Sequence, residues 1–440
     1  MTEFYINEGS LNTFRTVCEK KYVQDRPLSV AEVPDGCVLL RQKGGFKGIG
    51  VLDSRNIPVD FSKRDYPGDE FIIPDNPDKR DETVIYGGYL FEHWGHFLVE
   101  STCRLWYVLQ NSRDKAPVVF AVSRKPSKVF TDFFELLGLS DRIVFIDRPT
   151  RFTKVLVPEP SFVFCRPDSI SPLFLMPFDR IVKRVEAAGY DKVYLSKNKW
   201  TGLDFQCFGE EKLEQAFRMN GYHVVYPEKM TLKEQIAVLK GASEIAASAG
   251  TLAHNILFAP PPLSPSGSKR RRLIILNRIS VALPVQACLN ELRNIDCRYV
   301  DAFYSPVETS FIDGPFFWHV TEFVRQAFSD LDMVPPAADN TEPFTDFLKA
   351  WGNVYWDKNK AAYANLTDQI KQNAEEYAIV SRLSDCFKRK SAFKRQIFRA
   401  LFHLTRGKAK NCFKFLYKGA SFVSTTENLA FVEQLKNRRK

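Results

Sequence analysis

Short apolar runs alternate with amphipathic segments through the first half of the chain, a pattern typical of strands alternating with helices. The apolar runs predict strands at 83–86, 117–122, 142–146 and 153–157. Helices are predicted at 94–110 and 127–138, and a Gly87-Gly88 turn precedes the first of them. Before residue 80, clusters of Gly, Pro and Asp interrupt the apolar runs, so only short strands and loops are predicted there.

The alternation is more regular in the second half. Strands are predicted at 192–196, 223–226, 244–248, 273–276 and 298–300, and helices at 176–189, 210–220 and 231–240. Thr231 is the predicted N-cap of the last helix, with Glu234 at the capping-box position, and a further helix opens at Gly250-Thr251. This succession predicts a doubly wound, Rossmann-like domain with a parallel sheet.

The predicted elements indicate an α/β protein with two Rossmann-like lobes that face a cleft, followed by a helical, basic tail. We place the N-terminal lobe at 1–175, the C-terminal lobe at 176–335 and the tail at 336–440. A helix predicted at 316–330 closes the second lobe, and a linker runs from Pro335 to Pro343. The Pro- and Ser-rich stretch 260–268 is predicted to be a surface loop.

Charge is distributed unevenly over the 440 residues. The net charge is +10, but residues 388–440 contain 15 Lys and Arg against two Glu, a local charge of +13 that leaves −3 for the rest. The same segment carries an apolar helical face formed by Phe393, Ile397, Leu401 and Leu404. We therefore expect the tail to contact an anionic membrane surface, and we expect no binding to nucleic acid.

The cysteines and the N-terminal sequence give an indication of the cellular compartment of the protein. The nine cysteines show no CxxC pair and no framework spacing, which is typical of reduced thiols in the cytoplasm. The sequence has no signal-peptide pattern and no run of about 18 apolar residues. These features predict a cytoplasmic protein without a spanning helix.

The first candidate site follows the strand at 83–86. On a helix that begins near Trp94, His96, Glu100 and Arg104 share one face, and Glu92 lies just before it. Ionisable groups on an aromatic helix are costly to bury unless they pair or act in chemistry. The alternative is structural: an ion pair between Glu100 and Arg104, with His96 packed in the core.

Two more candidate sites follow strands of the second lobe. A small-residue turn opens a helix at Gly250 and Thr251, where free backbone N–H groups suit a phosphate, and His254 and Asn255 follow. After the strand at 192–196 come Ser196, Lys197 and Lys199. The structural alternatives are tight strand–helix packing for the turn and solvated lysines for the loop.

Asp330 and Asp332 form a DxD pattern similar to the metal site of metal-dependent sugar transferases. They trail a predicted helix instead of following a strand, so we interpret them as a solvated helix end and predict no metal site and no cofactor.

Taken in order, several motifs resemble those of glycosyltransferase family 61 between about residues 82 and 300. They are His96-Phe97-Leu98-x-Glu100 with Arg104-Leu105-Trp106, Val193-Tyr194-Leu195-Ser196, Tyr226-Pro227-Glu228 with Thr231 and Glu234-Gln235, and Gly250-Thr251-x-x-His254-Asn255-x-Leu257-Phe258-Ala259-Pro260. The sequence has Ala249-Gly250 where many relatives have His-Gly, and Ser196-Lys197 where many have Ser-Arg. The resemblance implies a GT-B-like architecture and an inverting transfer of a hexosyl or pentosyl group from a nucleotide sugar. In bacteria this activity commonly accompanies capsule or surface-polysaccharide synthesis.

Inverting transfer needs a base for the acceptor hydroxyl and stabilisation of the departing diphosphate. We predict His96 as that base, Glu100 as the group that orients it, and Glu92 as the reserve candidate.

Donor binding is assigned to the second lobe. Ser196 is predicted as a donor-binding residue. Gly250, Thr251, Lys197 and Lys199 are predicted to contact the diphosphate, and Glu228 the ribose hydroxyls. His254 and Asn255 either contact phosphate or sugar or anchor their helix.

The sequence thus predicts a metal-independent glycosyltransferase that is peripheral on the cytoplasmic membrane face and acts on a glycan or lipid-linked glycan. The alternatives are another two-lobed transferase of polysaccharide precursors, such as a pyruvyl transferase, and a non-catalytic nucleotide-sugar-binding or membrane adaptor protein.

Overall fold

The computed structural model describes residues 2–41, 48–63, 71–200, 207–261, 270–304 and 314–336, together with positions 347 and 350. Nearly all of the predicted tail at 336–440, including the basic segment 388–440, lies outside these residues. So does most of the predicted loop at 260–268.

Strands and helices alternate through the described residues, which confirms the α/β class. Up to residue 190 the elements are β1 (Thr2–Tyr5), α1 (Glu8–Cys18), β2 (Val30–Val38), β3 (Val51–Leu52), β4 (Asp78–Tyr89), α2 (Trp94–His96), α3 (Leu105–Gln110), β5 (Val118–Ala121), α4 (Lys128–Leu137), β6 (Ile143–Ile146), β7 (Thr150–Pro158) and α5 (Met176–Arg184). After it they are β8 (Lys192–Leu195), β9 (Cys207–Phe208), α6 (Glu211–Met219), β10 (His223–Val225), α7 (Leu232–Gly241), β11 (Glu244–Ser248), α8 (Thr251–His254), β12 (Arg272–Asn277), α9 (Pro284–Leu292), β13 (Asp296–Asp301), β14 (Phe303–Tyr304), β15 (Phe316–Trp318) and α10 (Glu322–Asp330).

The second half of the chain, together with β1, forms a six-stranded parallel sheet in the order β1-β13-β12-β11-β8-β10. The strand order changes direction at β8. The strand β10 pairs on one side of β8, and β11, which follows β10 in the chain, pairs on the other side. In open parallel sheets, such a switch point leaves a crevice at the carboxyl ends of the strands, where ligands bind.

Successive side chains of each strand point to opposite faces of the sheet, and helices cover both faces. Val193, Ile245 and Leu273 belong to a large core cluster on one face. Tyr194, Ala246 and Ile274 pack on the other face with Phe217 of α6 and Phe328 of α10. This two-sided burial explains why the strands read as continuous apolar runs in the sequence.

The first half forms a mixed sheet in the order β3-β2-β7-β4-β5-β6. Strands β4 to β7 are parallel, as predicted, whereas β2 is antiparallel to both β7 and β3. The carboxyl ends of β4 and β7 therefore lie at one edge of this sheet.

Four predictions need correction. The Gly87-Gly88 pair is not a turn: it lies inside β4, where the register with β5 shifts and Gly88 has a φ of 110°. The helix predicted at 316–330 contains the strand β15 before α10 begins at Glu322. The helix predicted at 94–110 is interrupted by a π turn, Phe97–Ser101. Finally, a helix, α1, lies where only short strands and loops were predicted.

The first strand of the chain belongs to the parallel sheet, whereas the strands β2 to β7 that follow it belong to the mixed sheet. Strand β1, which falls within the range predicted for the N-terminal lobe, pairs with β13 of the second sheet, and α1 packs on α9. The lobe boundaries themselves stay a prediction.

One hydrophobic core connects the two sheets. Phe133 of α4 contacts Phe97 at 5.0 Å and Phe258 at 6.4 Å between ring centroids, and Phe178 of α5 contacts Phe258 at 5.3 Å. Because Phe97 follows β4 and Phe258 follows β11, this cluster fixes the segments after those two strands against each other.

Candidate active site

The segments that follow β4 and β11 meet at the site. The indole N–H of Trp94 donates to Oδ1 of Asn255 at 2.8 Å, and Asn255 is only 2% exposed. A Cβ at Gly95 would lie 2.7 Å from Oγ1 of Thr251, a distance too short for any side chain. The absence of a side chain at Gly95 thus lets α2 approach α8 and brings the predicted base and the predicted donor turn to one place.

His96 and Glu100 form the polar pair of the first segment. Nδ1 of His96 lies 2.5 Å from Oε1 of Glu100, whose side chain is 7% exposed, while that of His96 is 30% exposed. The imidazole ring packs between Phe91 and Phe164, at 5.7 and 4.8 Å. Since Nδ1 is engaged by the carboxylate, Nε2 is the nitrogen that can accept a proton from a substrate.

The π turn changes the position of Arg104 relative to His96 and Glu100. A π turn adds a residue to the helical repeat, and the chain leaves helical hydrogen bonding before α3 begins at Leu105. The guanidinium of Arg104 donates to the carbonyl of Phe61 at 2.6 Å and lies 5.2 Å from the ring of Tyr86. The structure thus brings His96 and Glu100 into hydrogen-bond contact, while Arg104 bonds elsewhere and lines a cavity together with Glu100.

Glu92, the reserve candidate for the base, is engaged elsewhere. Its carboxylate forms a salt bridge with the Nε atom of Arg124. The Arg124 side chain is largely exposed, so this pair lies near the surface.

The predicted donor turn carries a conformation that requires glycine. Gly250, the N-cap of α8, has φ 101° and ψ −144°, a region almost closed to other residues. A Cβ there would also lie 3.1 Å from Nη2 of Arg278. The guanidinium of Arg278 thus lies directly against the turn, and it is centred 4.2 Å from the ring of Phe316.

Lys197 lies at the end of β8, next to this turn. Burial, together with the charge of Arg278, lowers the pKa of its ammonium group to about 8. Its backbone N–H donates to the carboxylate of Glu210 at 3.2 Å, and the hydroxyl of Tyr194 donates to the same carboxylate at 2.7 Å. Burial raises the pKa of Glu210 to about 7, so the loop that presents Lys197 is tied to a buried carboxyl.

Ser196 anchors the same loop. Its hydroxyl donates to Glu214 at 2.7 Å and accepts from the backbone N–H of Asn198 at 3.0 Å, and the residue is fully buried. Its side chain therefore positions Lys197 and is not open to a ligand.

Lys199 and Glu228 lie farther out, beyond β10. The ammonium of Lys199 lies 5.8 Å from the ring of Tyr226, and its backbone N–H bonds to the Glu228 carboxylate. Burial raises the pKa of Glu228, and its Oε1 is buried without a hydrogen-bond partner among the described residues. Glu228 therefore has a free acceptor at the sheet edge that holds Lys197.

His254 and Asn255 anchor their helix. Nδ1 of His254 lies 2.8 Å from Oε1 of Gln286, and the ring is almost completely buried, which lowers its pKa to about 4. Asn255 accepts from Trp94, as described above. Both side chains thus make hydrogen bonds within the protein, as in the alternative in which they anchor their helix.

Two residues of the site were missed by the sequence analysis. His93 lies against Gly95, 5.1 Å from the ring of His96, and its pKa is lowered to about 4 by desolvation and by His96, Lys197 and Arg278. Arg278 follows β12 directly. A basic residue just after a buried parallel strand was an available signal for Arg278, whereas nothing local distinguished His93 from its neighbours.

Among the described residues, no group of three or more His, Cys, Asp or Glu side chains could hold a metal ion. Asp330 ends α10 and Asp332 follows it in a left-handed turn, as expected of a helix end. The seven described cysteines form no disulfide with one another. No helix in the described part of the chain has the length and apolarity needed to cross a membrane.

Residues 94–264 match the family model Glycosyltransferase 61. The match supports a glycosyltransferase of that family. The matched segment begins at Trp94 and includes His96, Glu100, Lys197 and Gly250, whereas Arg278 lies beyond its end. A comparison with curated proteins found no match.

Proposed function

We propose that this chain is an inverting, metal-independent glycosyltransferase with a GT-B-like arrangement, which transfers a hexosyl or pentosyl group from a nucleotide sugar. The observation that carries the proposal is the contact between Gly95 and Thr251. It places an imidazole–carboxylate pair beside a glycine turn flanked by Lys197 and Arg278.

In the proposed reaction, the acceptor hydroxyl lies at Nε2 of His96. As the acceptor oxygen attacks the anomeric carbon, Nε2 takes its proton, a new glycosidic C–O bond forms, and the bond to the diphosphate oxygen breaks. The carboxylate of Glu100 stabilises the imidazolium through Nδ1–H. Attack from the side opposite the leaving group inverts the anomeric configuration.

The leaving nucleoside diphosphate takes the electron pair of the broken bond. We assign its stabilisation to the ammonium of Lys197, the guanidinium of Arg278 and the backbone N–H groups after Gly250. Glu228, whose Oε1 has no hydrogen-bond partner in the described part of the chain, is assigned to the ribose hydroxyls. Two cations beside the turn supply the charge that a divalent metal would otherwise provide, which is why we propose metal-independent transfer.

We further propose that the acceptor is a surface polysaccharide or a lipid-linked oligosaccharide, reached from the cytoplasmic face of the membrane. The support is the sequence of residues 388–440, with its net charge of +13 and its predicted apolar helical face.

The test uses purified full-length protein and a panel of nucleotide sugars, with release of nucleoside diphosphate as the readout. His96→Gln should reduce transfer by roughly 10²–10⁴-fold while nucleoside diphosphate binding stays unchanged. His223→Gln is the matched control, since His223 is an exposed histidine that stacks on Tyr190, on the edge strand β10. Transfer should persist in EDTA.

Several outcomes would refute the proposal. Transfer that requires Mn²⁺ or Mg²⁺ would contradict the metal-free site, and full activity of His96→Gln would exclude His96 as the base. A transferred group that leaves no nucleoside diphosphate behind would favour the pyruvyl transferase alternative.

A further inference from the structure

A cavity of about 290 Å³ lies beside the carboxyl end of β7, apart from the donor turn. Arg26, Lys63 and Arg166 line it together with the aromatic rings of Phe61 and Phe162. Its volume is near the lower end of the range for ligand pockets, roughly 300–1,000 Å³, and accommodates about one or two sugar rings.

A second, smaller cavity of about 40 Å³ borders both this region and the side chains that contact the ring of His96. The two cavities share the wall residues Lys63 and 160, 162 and 163. The second is also lined by Glu100, Arg104 and Phe164, and Phe164 packs on the ring of His96. A substituent of a saccharide in the larger cavity would therefore reach toward the side chains that contact the imidazole.

Arg104 is the feature that indicates the charge of the ligand. It is 7% exposed, no carboxylate of the described residues lies within salt-bridge distance of it, and its Nε has no hydrogen-bond partner among them. Its other contacts are a carbonyl, a thiol and the face of Tyr86. A buried guanidinium without a counter-charge is costly, and an anionic ligand group supplies that charge.

The other charged residues of the two cavities also favour an anionic ligand. Among the described residues, four basic side chains (Arg26, Lys63, Arg104 and Arg166) and three carboxylates line them. Glu159 pairs with Arg26 and Asp168 with Lys20, and Glu100 is hydrogen-bonded to His96. Lys63 has a side chain 29% exposed, and its carboxylate partner, Asp60, is almost fully exposed at 3.3 Å. Because solvent screens that pair, Lys63 remains a strong partner for an anion.

We propose that these cavities form the acceptor subsite and that it takes an acidic saccharide, one with a carboxylate or phosphate group directed at Arg104 and Lys63. This inference rests on the proposed function, because it makes the ligand the acceptor of that reaction. The aromatic walls contact the C–H faces of the sugar rings, and the anionic group fixes the direction of the chain toward His96.

The experiment measures saccharide binding to the full-length protein by saturation-transfer NMR titration at low salt. The probes are two matched pairs: 4-nitrophenyl β-glucuronide against 4-nitrophenyl β-glucoside, and glucose 6-phosphate against glucose. We expect the charged member to bind about tenfold more tightly or better, the scale of one charge-assisted hydrogen bond. The pair with the larger ratio identifies carboxylate or phosphate as the preferred group.

Lys63→Gln should reduce that ratio several-fold, and Arg104→Gln should abolish it if the variant folds. Lys154→Gln is the matched control: Lys154 is a half-exposed lysine paired with Glu32 at 3.0 Å on β7, outside both cavities, and the ratio should be unchanged. Equal binding of the charged and neutral probes, or an unchanged ratio in Lys63→Gln, would overturn the proposal.

A parallel titration with nucleoside diphosphates separates the two proposals. Normal nucleotide binding with no preference for acidic saccharides refutes the acceptor subsite alone. A preference for acidic saccharides that Lys63→Gln removes, in a protein that binds no nucleotide, supports the anion subsite and refutes the transferase.

Discussion

At the scale of single residues, the main cation of the proposed donor site is only partly protonated in alkaline solution. Burial and Arg278 lower the pKa of Lys197 to about 8, from an ordinary value near 10.5. Bound diphosphate stabilises the ammonium form, so binding takes up a proton once the pH exceeds about 8. The groups facing Lys197 include Glu210, Glu228 and Cys207, whose charges act in the opposite direction to that of Arg278.

Nucleoside diphosphate affinity should therefore fall as the pH rises above 8, by up to about tenfold per pH unit. Lys197→Arg keeps the positive charge throughout this range, so its affinity should be nearly constant from pH 7.5 to 9.5. Isothermal titration calorimetry over that range measures both proteins. Equal slopes for the two would show that another group is responsible.

At the scale of elements, the turn between β11 and α8 depends on a backbone that only glycine adopts readily. Gly250 combines a positive φ with a close neighbour, the guanidinium of Arg278. Gly221, after α6, also has a positive φ, of 78°, but nothing lies within 4 Å of its Cβ position. Substitution of Gly221 therefore introduces backbone strain alone, whereas substitution of Gly250 introduces strain and also displaces Arg278.

Gly250→Ala should destabilise the protein by about 1–3 kcal/mol and also weaken nucleoside diphosphate binding, because the new methyl group displaces Arg278. Gly221→Ala should cost about 1 kcal/mol and leave nucleotide binding unchanged. Urea unfolding and a nucleotide titration of both variants provide the comparison. Normal nucleotide binding by Gly250→Ala would show that this turn and Arg278 are not part of the donor site.

At the scale of the whole molecule, the two sheets share one core, and their functional segments are tied by the bond from Trp94 to Asn255. Strand β1 adds a second connection, since it pairs with β13 although it begins the chain. Relative motion of two independent lobes is therefore not expected of this arrangement. The described part of the chain should behave as one cooperative unit.

Thermal unfolding should show a single transition by both near-UV and far-UV circular dichroism. Trp94→Phe leaves the buried oxygen of Asn255 without its donor, which should lower the stability by about 1–3 kcal/mol and also reduce transfer. Two separate transitions, or a Trp94→Phe variant with normal transfer, would contradict a site that depends on this contact.

The predicted membrane contact also belongs to this scale. Removal of residues 388–440 should release the protein from vesicles that contain anionic lipid, since each basic residue near the surface contributes about 1 kcal/mol. Co-sedimentation with vesicles of phosphatidylglycerol, and of phosphatidylcholine as the neutral control, measures the effect. Undiminished sedimentation of the shortened chain would place any membrane contact elsewhere.

Local patterns in the sequence determined several elements in both halves of the chain. The capping box of Thr231 and Glu234, the helix α4 and the strand β11 all depend on neighbouring residues, and each was predicted close to its observed bounds. The candidates His96 and Glu100 were placed together because helical spacing brings residues four apart into contact.

Contacts between distant parts of the chain were decided by the tertiary structure. The pairing of β1 with β13, the position of Arg278 at Gly250 and the contact of Gly95 with Thr251 each join residues far apart in sequence. No periodicity encodes such pairs, because the free energy of each contact depends on how the sheets pack. The π turn is of the same kind: the sequence predicted a regular helix, and packing placed Arg104 in the wall of the smaller cavity and left Glu100 with His96.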